Sequence, residues 1–204
     1  MANYDPKENE NNDKAHANED RAAIEKYSQN TTFEGWIDTP YVKLLFSEFF
    51  AQASHICAVD FGNQLMQYDN KIRKLYSALE MKVLNQRRLR SLGEENPKGY
   101  IRDMNAIDNF RITLFETIDE KGSMISTWRK KMIALIDTYN ERIARYIDDI
   151  TAVKSVVVAY PQLDESDLPG LFTQELALVE SQRTQYNTRV MNLIKEVKPR
   201  EENQ

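Results

Sequence analysis

Three chemically reactive side chains lie within six positions of the sequence: His55, the single cysteine Cys57, and Asp60. A thiol, an imidazole and a carboxylate are the groups that make up a cysteine nucleophile, its base and an orienting acid. The surrounding pattern predicts a helix, on which Cys57 points about 200° and Asp60 about 140° away from His55. A nucleophile must lie within hydrogen-bonding distance of its base, so we expect no catalytic site here and interpret Cys57 as a packed apolar side chain.

The sequence gives no stronger indication of a metal site or of a phosphate-binding site. The only other histidine, His16, lies in an acidic segment, and neither histidine follows a glutamate by three positions, as ligand pairs in carboxylate-bridged helical sites do. The acidic run at 164–167 lacks the ligand spacing of a calcium loop, and no glycine-rich phosphate loop occurs. We predict no catalytic residue, no metal site, no cofactor and no small-molecule substrate. An active site assembled from distant residues stays open as an alternative.

Composition favours long helices. The 204 residues are 41% apolar and 29% charged, with only six glycines and six prolines, and a single cysteine excludes an internal disulfide. We recognise neither a cleaved signal peptide nor an apolar run long enough for a transmembrane segment. The sequence therefore predicts a protein of the cytoplasm or of a macromolecular assembly.

The net charge of −5 belongs to the N-terminal part of the chain. Residues 1–39 hold nine acids against four bases, and the rest of the chain is neutral. A neutral body disfavours a general nucleic-acid binder, because no domain-wide positive field attracts phosphate. We predict an acidic, largely disordered tail and linker over 1–38, a helical bundle domain over 39–198 and a disordered C-terminus over 199–204. The alternative is that the tail docks on a partner surface.

One basic cluster could accept an anion. Between residues 71 and 90, seven cations stand against the single acid Glu80: Lys71, Arg73, Lys74, Lys82, Arg87, Arg88 and Arg90. Cations near a helix end suit its dipole and can pair with acids elsewhere in the chain. Alternatively they form an anion-binding site for phosphate, an anionic membrane or the acidic N-terminus of the same or a neighbouring subunit.

Apolar periodicity predicts the helices that must position these residues. A helix begins at Thr39 and Pro40 and runs to about Leu92, with a kink or register break beside Gly62. After a loop at 91–99, a second helical stretch covers 100–160, including the start of the segment VVVAYP, whose Pro161 ends the helix, and we expect a break at Gly122. The fold class is all-α: an antiparallel bundle of long helices, elongated if the two glycines bend the helices and compact if they break them.

The last helix carries a seam with the spacing of a coiled coil. Its positions alternate by four and three residues from Phe172 to Val197, and Arg183 is the one cation among them. A second apolar surface is predicted at 33–50, where six aromatic residues occur in 18 positions. We therefore place a partner or oligomer interface at Trp36, Phe46, Phe50, Arg183, Tyr186 and Val190.

These features predict a non-enzymatic interaction or structural subunit, a homo-oligomer with protein partners, within a larger assembly such as a phage (as a virion component) or secretion complex. The second hypothesis is a binding module that contacts nucleic acid or an anionic membrane through the basic helix at 71–90.

Overall fold

The computed structural model describes residues 6–27, 39–94, 96–151, 160–168 and 170–197. No strand occurs in these ranges, and the predicted all-α helical bundle is confirmed. The elements in chain order are α1 (Pro6–Tyr27), α2 (Pro40–His55), a π-helical segment (Ile56–Phe61), α3 (Gly62–Ser91), α4 (Pro97–Thr151), a 3-10 turn (Glu165–Asp167) and α5 (Leu171–Val197).

Local capping groups set the ends of the helices. Thr39 caps α2 by accepting a hydrogen bond from the Val42 amide at 3.3 Å, and Pro40 stands in the first turn, where its missing N–H costs nothing. The predicted start of this helix is thus confirmed. Asn96 accepts a hydrogen bond from the Lys98 amide at 3.0 Å at the start of α4. Gly93 follows α3 with a φ of 67°, a left-handed conformation that glycine adopts without steric cost.

The chain divides into two compact units. The first comprises Met1–Ile56 and Lys130–Pro169, and the second comprises Cys57–Arg129 and Gly170–Gln204. Helix α4 therefore contributes its C-terminal part to the first unit and its N-terminal part to the second.

In the first unit, α2 packs against the C-terminal part of α4. The rings of Phe49 and Tyr139 meet edge to face, with centroids 5.7 Å apart. Asn140 exchanges two hydrogen bonds of 2.8 Å with the backbone of Leu163, which fixes the segment that precedes the 3-10 turn. Each helix buries one apolar stripe: Val42, Leu45, Phe49 and Ala53 on α2, and Met132, Ile136, Tyr139, Ile143, Tyr146 and Ile150 on α4.

In the second unit, α3, the N-terminal part of α4 and α5 share an apolar core. Phe61 contacts the rings of Trp128 and Phe172, at centroid distances of 6.5 and 4.9 Å, and so joins the π-helical segment to α4 and α5. The fully buried side chains include Ile72, Leu79, Val83, Ile107, Leu114, Ile118, Ile125 and Val190.

The register break predicted beside Gly62 takes the form of a π-helical segment. This segment ends at Phe61, directly before Gly62, and its wider turn shifts the apolar stripe relative to an α-helix. A Cβ at Gly62 would lie 3.4 Å from the Cys57 carbonyl oxygen, so a small residue suits this crowded turn. The helical backbone continues through the position, and only the register changes.

The break predicted at Gly122 is wrong, because α4 runs without interruption from Pro97 to Thr151. A Cβ built at Gly122 would meet the Val179 side chain at 3.5 Å, so the glycine lies where α5 approaches α4 closely. Ile118 and Ile125 are buried on either side, and this packing holds the backbone helical where glycine alone would weaken it.

Residues 6–27 form helix α1, which differs from the predicted disordered tail. The reason is that Asp13 and Asp20, whose charges indicated a solvated segment, bind Arg142 and Tyr146 of α4. The linker 28–38, the helical interpretation of 152–159 and the C-terminus 199–204 lie outside the described residues. The predicted domain boundaries stay predictions.

Alanine at position 122 tests the role of this glycine. We expect Gly122→Ala to stabilise the protein by up to about 1 kcal/mol, because alanine favours helix and its Cβ meets Val179 at an ordinary contact distance. Gly93→Ala is the matched control, and its left-handed φ should make the same methyl group cost about 1 kcal/mol. Urea unfolding measures both. A destabilised Gly122→Ala would contradict the packing described for α4 and α5.

Candidate interaction sites

Arg142 is a buried cation of the first unit, on α4 between the buried rings of Tyr139 and Tyr146. Its guanidinium donates two hydrogen bonds to the Asp13 carboxylate of α1, from Nε at 3.1 Å and from Nη2 at 2.9 Å. This two-point pairing is the geometry in which arginine binds carboxylates best. A third hydrogen bond runs from Nη1 to Glu48 of α2 at 3.3 Å. Arg142 thus links all three helices of the unit.

The charge of Arg142 is maintained by its partners. Burial opposes this charge, but the hydrogen bonds to Asp13 and the negative charge of that carboxylate outweigh burial and hold the pKa of the guanidinium above its ordinary value. The Asp13 side chain is itself mostly buried, whereas Glu48 is partly exposed. The pair with Asp13 is therefore the less screened of the two.

Two tyrosine hydroxyls extend this site. Tyr41 donates a hydrogen bond to Asp13, Tyr146 donates one to Asp20, and the Tyr146 oxygen also lies 3.0 Å from the Thr39 hydroxyl. Burial, and after it the hydrogen bonds to the carboxylates, raises the pKa of both phenols, so both remain protonated donors. A fixed cation flanked by two such donors forms a site for carboxylates, which we call the Arg142 site.

Other contacts hold α1 in place. Arg21 donates two hydrogen bonds to the Asp149 carbonyl, at 3.0 and 2.6 Å, and the His16 ring stacks on Tyr41 with centroids 4.4 Å apart. Sequence reasoning named the basic cluster at 71–90 as an acceptor for the acidic tail, whereas the structure pairs these acids with the Arg142 site. The sequence did indicate this site, because the helical spacing places Arg142 on the same face of α4 as the buried Tyr139 and Tyr146.

The seven cations predicted as an anion-binding site are spread along α3. Four of them are engaged by other helices of the second unit: Lys71 by Glu120 at 3.4 Å, Lys82 by Asp103 at 3.4 Å, Arg87 by Glu196 at 2.9 Å and Arg90 by the Val197 carbonyl at 2.8 Å. Arg73, Lys74 and Arg88 are exposed and make no ion pair within the described part of the chain. This distribution fits the alternative in which the cations pair with acids of neighbouring helices.

The aromatic residues predicted at a partner surface have different environments. Trp36 lies outside the described residues. Phe46 is half-buried, and Phe50 is exposed with its ring against Phe49, at a centroid distance of 5.3 Å. Phe50 is thus the one of the three that the structure shows at the surface.

The three interface residues predicted on α5 mostly contact the chain itself. Arg183 is exposed and pairs with Asp119 of α4 at 3.2 Å. Tyr186 packs on Tyr76 of α3 with ring centroids 4.9 Å apart, and Val190 is fully buried. The seam of α5 therefore closes the second unit, because the apolar stripe finds its partners on α3 and α4.

Sequence reasoning missed Lys121, a buried cation of the second unit. Its ammonium donates hydrogen bonds to Asp69 at 2.8 Å and to Gln182 at 3.5 Å. All three residues line an open cavity of about 390 Å³, whose charged residues are of both signs. The sequence again indicated this burial, because the helical spacing places Lys121 on the same face of α4 as the buried Ile118 and Ile125.

The same unit contains a buried acid, Asp103 of α4. Gln86 of α3 donates a hydrogen bond to it, and Lys82 approaches to 3.4 Å. Burial alone would raise the pKa of Asp103, but the Gln86 hydrogen bond and the Lys82 charge outweigh burial and lower it. The carboxylate therefore stays charged and links α3 to α4.

Two short rows of side chains face away from the core of the second unit. Their four apolar members are 67%, 57%, 60% and 49% exposed, which leaves about half or more of each residue's surface in water. The α3 row is Met81 and Arg88 of α3 together with Leu92, the residue directly after this helix, and the α4 row is Ile101, Asp108 and Ile112.

The reactive side chains at 55–60 have ordinary surroundings. His55 is exposed at the end of α2, and Cys57 is buried in the π-helical segment. Burial raises the pKa of the Cys57 thiol, opposite to the shift that activates a cysteine nucleophile. Within the described ranges, no three His, Cys, Asp or Glu side chains are grouped to hold a metal ion.

Its described helices define this protein as an all-α helical bundle. The chain matches no protein-family model, no curated protein and no solved structure. Among the described helices, none has both the length and the apolar character needed to cross a membrane. What the protein binds is therefore inferred from the Arg142 site and the two exposed rows.

The ion pair of Lys121 and Asp69 gives an asymmetric prediction. Asp69→Ala leaves a buried ammonium without its charge partner and should cost roughly 3 kcal/mol, whereas Lys121→Met should change the free energy of unfolding by less than about 1 kcal/mol, because the partly exposed Asp69 can be hydrated. Urea unfolding at neutral pH measures both variants. Equal losses would contradict the burial difference between the two side chains.

Proposed function

We propose that the protein is a non-enzymatic helical interaction subunit that self-associates to build a larger assembly, such as a phage or secretion complex. The observation that carries this proposal is the presence of the α3 row and the α4 row on one chain. Each row combines two exposed apolar side chains with one charged residue, and the two charges are opposite.

The two rows also match in spacing. In each, the charged residue follows the first apolar residue by seven positions and precedes the second by four. At about 1.5 Å per residue, the apolar residues of either row stand about 16 Å apart, with the charge at the same place between them. When the α3 row lies parallel to the α4 row of a second copy, Arg88 meets Asp108 and an apolar pair forms on either side.

The two kinds of contact have different effects. Burial of apolar surface supplies free energy, at about 25 cal/mol per Å², and the ion pair fixes the register. Arg88 has no ion pair within the described ranges, and Asp108 has only an exposed contact with Arg111 at 3.4 Å, which contributes little. Neither charge has to give up a strong partner when the copies associate.

When each row pairs with a different copy, every pairwise contact leaves one row of each copy free. Such a contact continues from copy to copy until it closes into a ring or extends as a filament. This property suits a structural component of an assembly better than it suits an isolated dimer.

Charge reversal tests the contact. Arg88→Glu places two acids together and should weaken self-association at least tenfold, while Arg88→Glu combined with Asp108→Arg in one chain should restore it. Lys195→Glu, an equal charge change at an exposed position of α5, is the matched control and should associate like the wild type. Light scattering over a concentration series, at low and high salt, measures the mass.

A wild-type protein that stays monomeric at every concentration would contradict the proposal. If such a monomer instead bound anionic vesicles or nucleic acid, and Arg88→Glu abolished that binding, the basic helix at 71–90 would be the functional surface. Association that is unaffected by Arg88→Glu would place the contact elsewhere on the chain.

A further inference from the structure

The described side chains of α1, those of residues 10–21, contact the first unit mainly by charge and hydrogen bonds. Ala17 is the only buried apolar one among them. The other contacts of these described side chains are those of Asp13 and Asp20 in the Arg142 site, the Arg21 hydrogen bonds to a backbone carbonyl, and the stacked ring of His16. Detachment of residues 10–21 therefore uncovers little apolar surface of α1 itself.

The Arg142 site has partners that do not belong to α1. Glu48 of α2 lies 3.3 Å from the guanidinium of Arg142, and the Thr39 hydroxyl lies 3.0 Å from the Tyr146 oxygen. Each of these two buried groups therefore has one partner on the body of the unit and one on α1. An unpaired buried charge, which would cost several kcal/mol, is avoided in both states.

Each copy of the chain carries both the site and the acidic helix that fills it. Residues 28–38 join α1 to Thr39, and a chain of this length can span up to about 40 Å. Two copies that exchange α1 make every contact of the single chain again, so exchange costs mainly the entropy of bringing the copies together.

We propose that the Arg142 site is a binding site for the α1 helix of a second copy, and that two chains exchange α1 reciprocally. Asp13 of one copy pairs with Arg142 of the other, and Asp20 with Tyr146. Exchange competes with docking inside the chain, where the linker sets an effective concentration of the order of millimolar. The exchanged form therefore increases with protein concentration. The proposal stands on residues of the first unit and does not depend on the α3 and α4 rows.

Paramagnetic relaxation enhancement in NMR spectra tests this exchange on full-length chains. One chain, without isotope label, carries a spin label at Lys14→Cys, an exposed position of α1, with Cys57→Ala to prevent labelling elsewhere. The other chain is labelled with ¹⁵N and has no spin label. We expect amide signals around residue 142 of the ¹⁵N chain to broaden when the two are mixed at about 1 mM.

Matched variants assign any broadening to the ion pair. Asp13→Arg in the spin-labelled chain should abolish it, and Arg142→Asp in the ¹⁵N chain should then restore it, because the pair is re-formed with its charges reversed. The broadening should persist when both chains carry Arg88→Glu, because at about 1 mM exchange does not require contact between the two rows. If Arg142→Asp does not fold, the comparison between the wild-type mixture and the mixture with Asp13→Arg still tests whether the broadening depends on this ion pair.

Two results would overturn the exchange. One is broadening of the amide signals around residue 142 only when the spin label and the ¹⁵N label are on the same chain. In that case α1 docks solely within its own chain. The other is broadening between chains that persists with Asp13→Arg or disappears with Arg88→Glu.

Discussion

A guanidinium buried in an apolar bundle has to be neutralised, and the arrangement of the first unit depends on how this is done for Arg142. Arg142 lies on the buried face of α4, where its charge would oppose folding if it had no partner. Helix α2 supplies one acid, Glu48, and α1 supplies the better placed one, Asp13. A polar helix such as α1 gains little from its own sequence, so the tertiary contacts at this site are what stabilise it as a helix.

Buried charges specify neighbours in the second unit by the same physics. Lys121 of α4 pairs with Asp69 of α3 and contacts Gln182 of α5, and Asp103 joins α4 to α3 through Gln86. Such pairs contribute little net stability, since their desolvation cost offsets much of the attraction. They do penalise helix pairings in which either charge would be left alone. The two units differ in where the paired acid lies. Asp69, which pairs with Lys121, lies on the core helix α3, whereas Asp13, which pairs with Arg142, lies on α1.

Periodicity and capping in the sequence were sufficient to predict the helical class, the start of α2 at Thr39 and the change of register beside Gly62. They could not distinguish a glycine that ends a helix from one such as Gly122, which lies inside a helix and packs against a neighbouring one. Nor could the α5 seam show whether its partner was a second copy or the same chain, and Val190 is buried by the chain itself. Sequence analysis missed the Arg142 site because the site joins residues 129 positions apart. In addition, a charged residue within an apolar row is ordinarily interpreted as an exposed position.

The two proposed contacts are linked by concentration. Docking of α1 within its own chain benefits from the short connection to α2, so exchange in dilute solution is disfavoured although its contacts are the same. An assembly held together by the α3 and α4 rows would bring many Arg142 sites and many α1 helices into one small volume. Under those conditions the advantage of the intramolecular connection is reduced, and exchange becomes competitive without any new contact. Exchanged helices would then add a second, independent connection between neighbouring copies, and loss of a copy from the assembly would require both connections to open together.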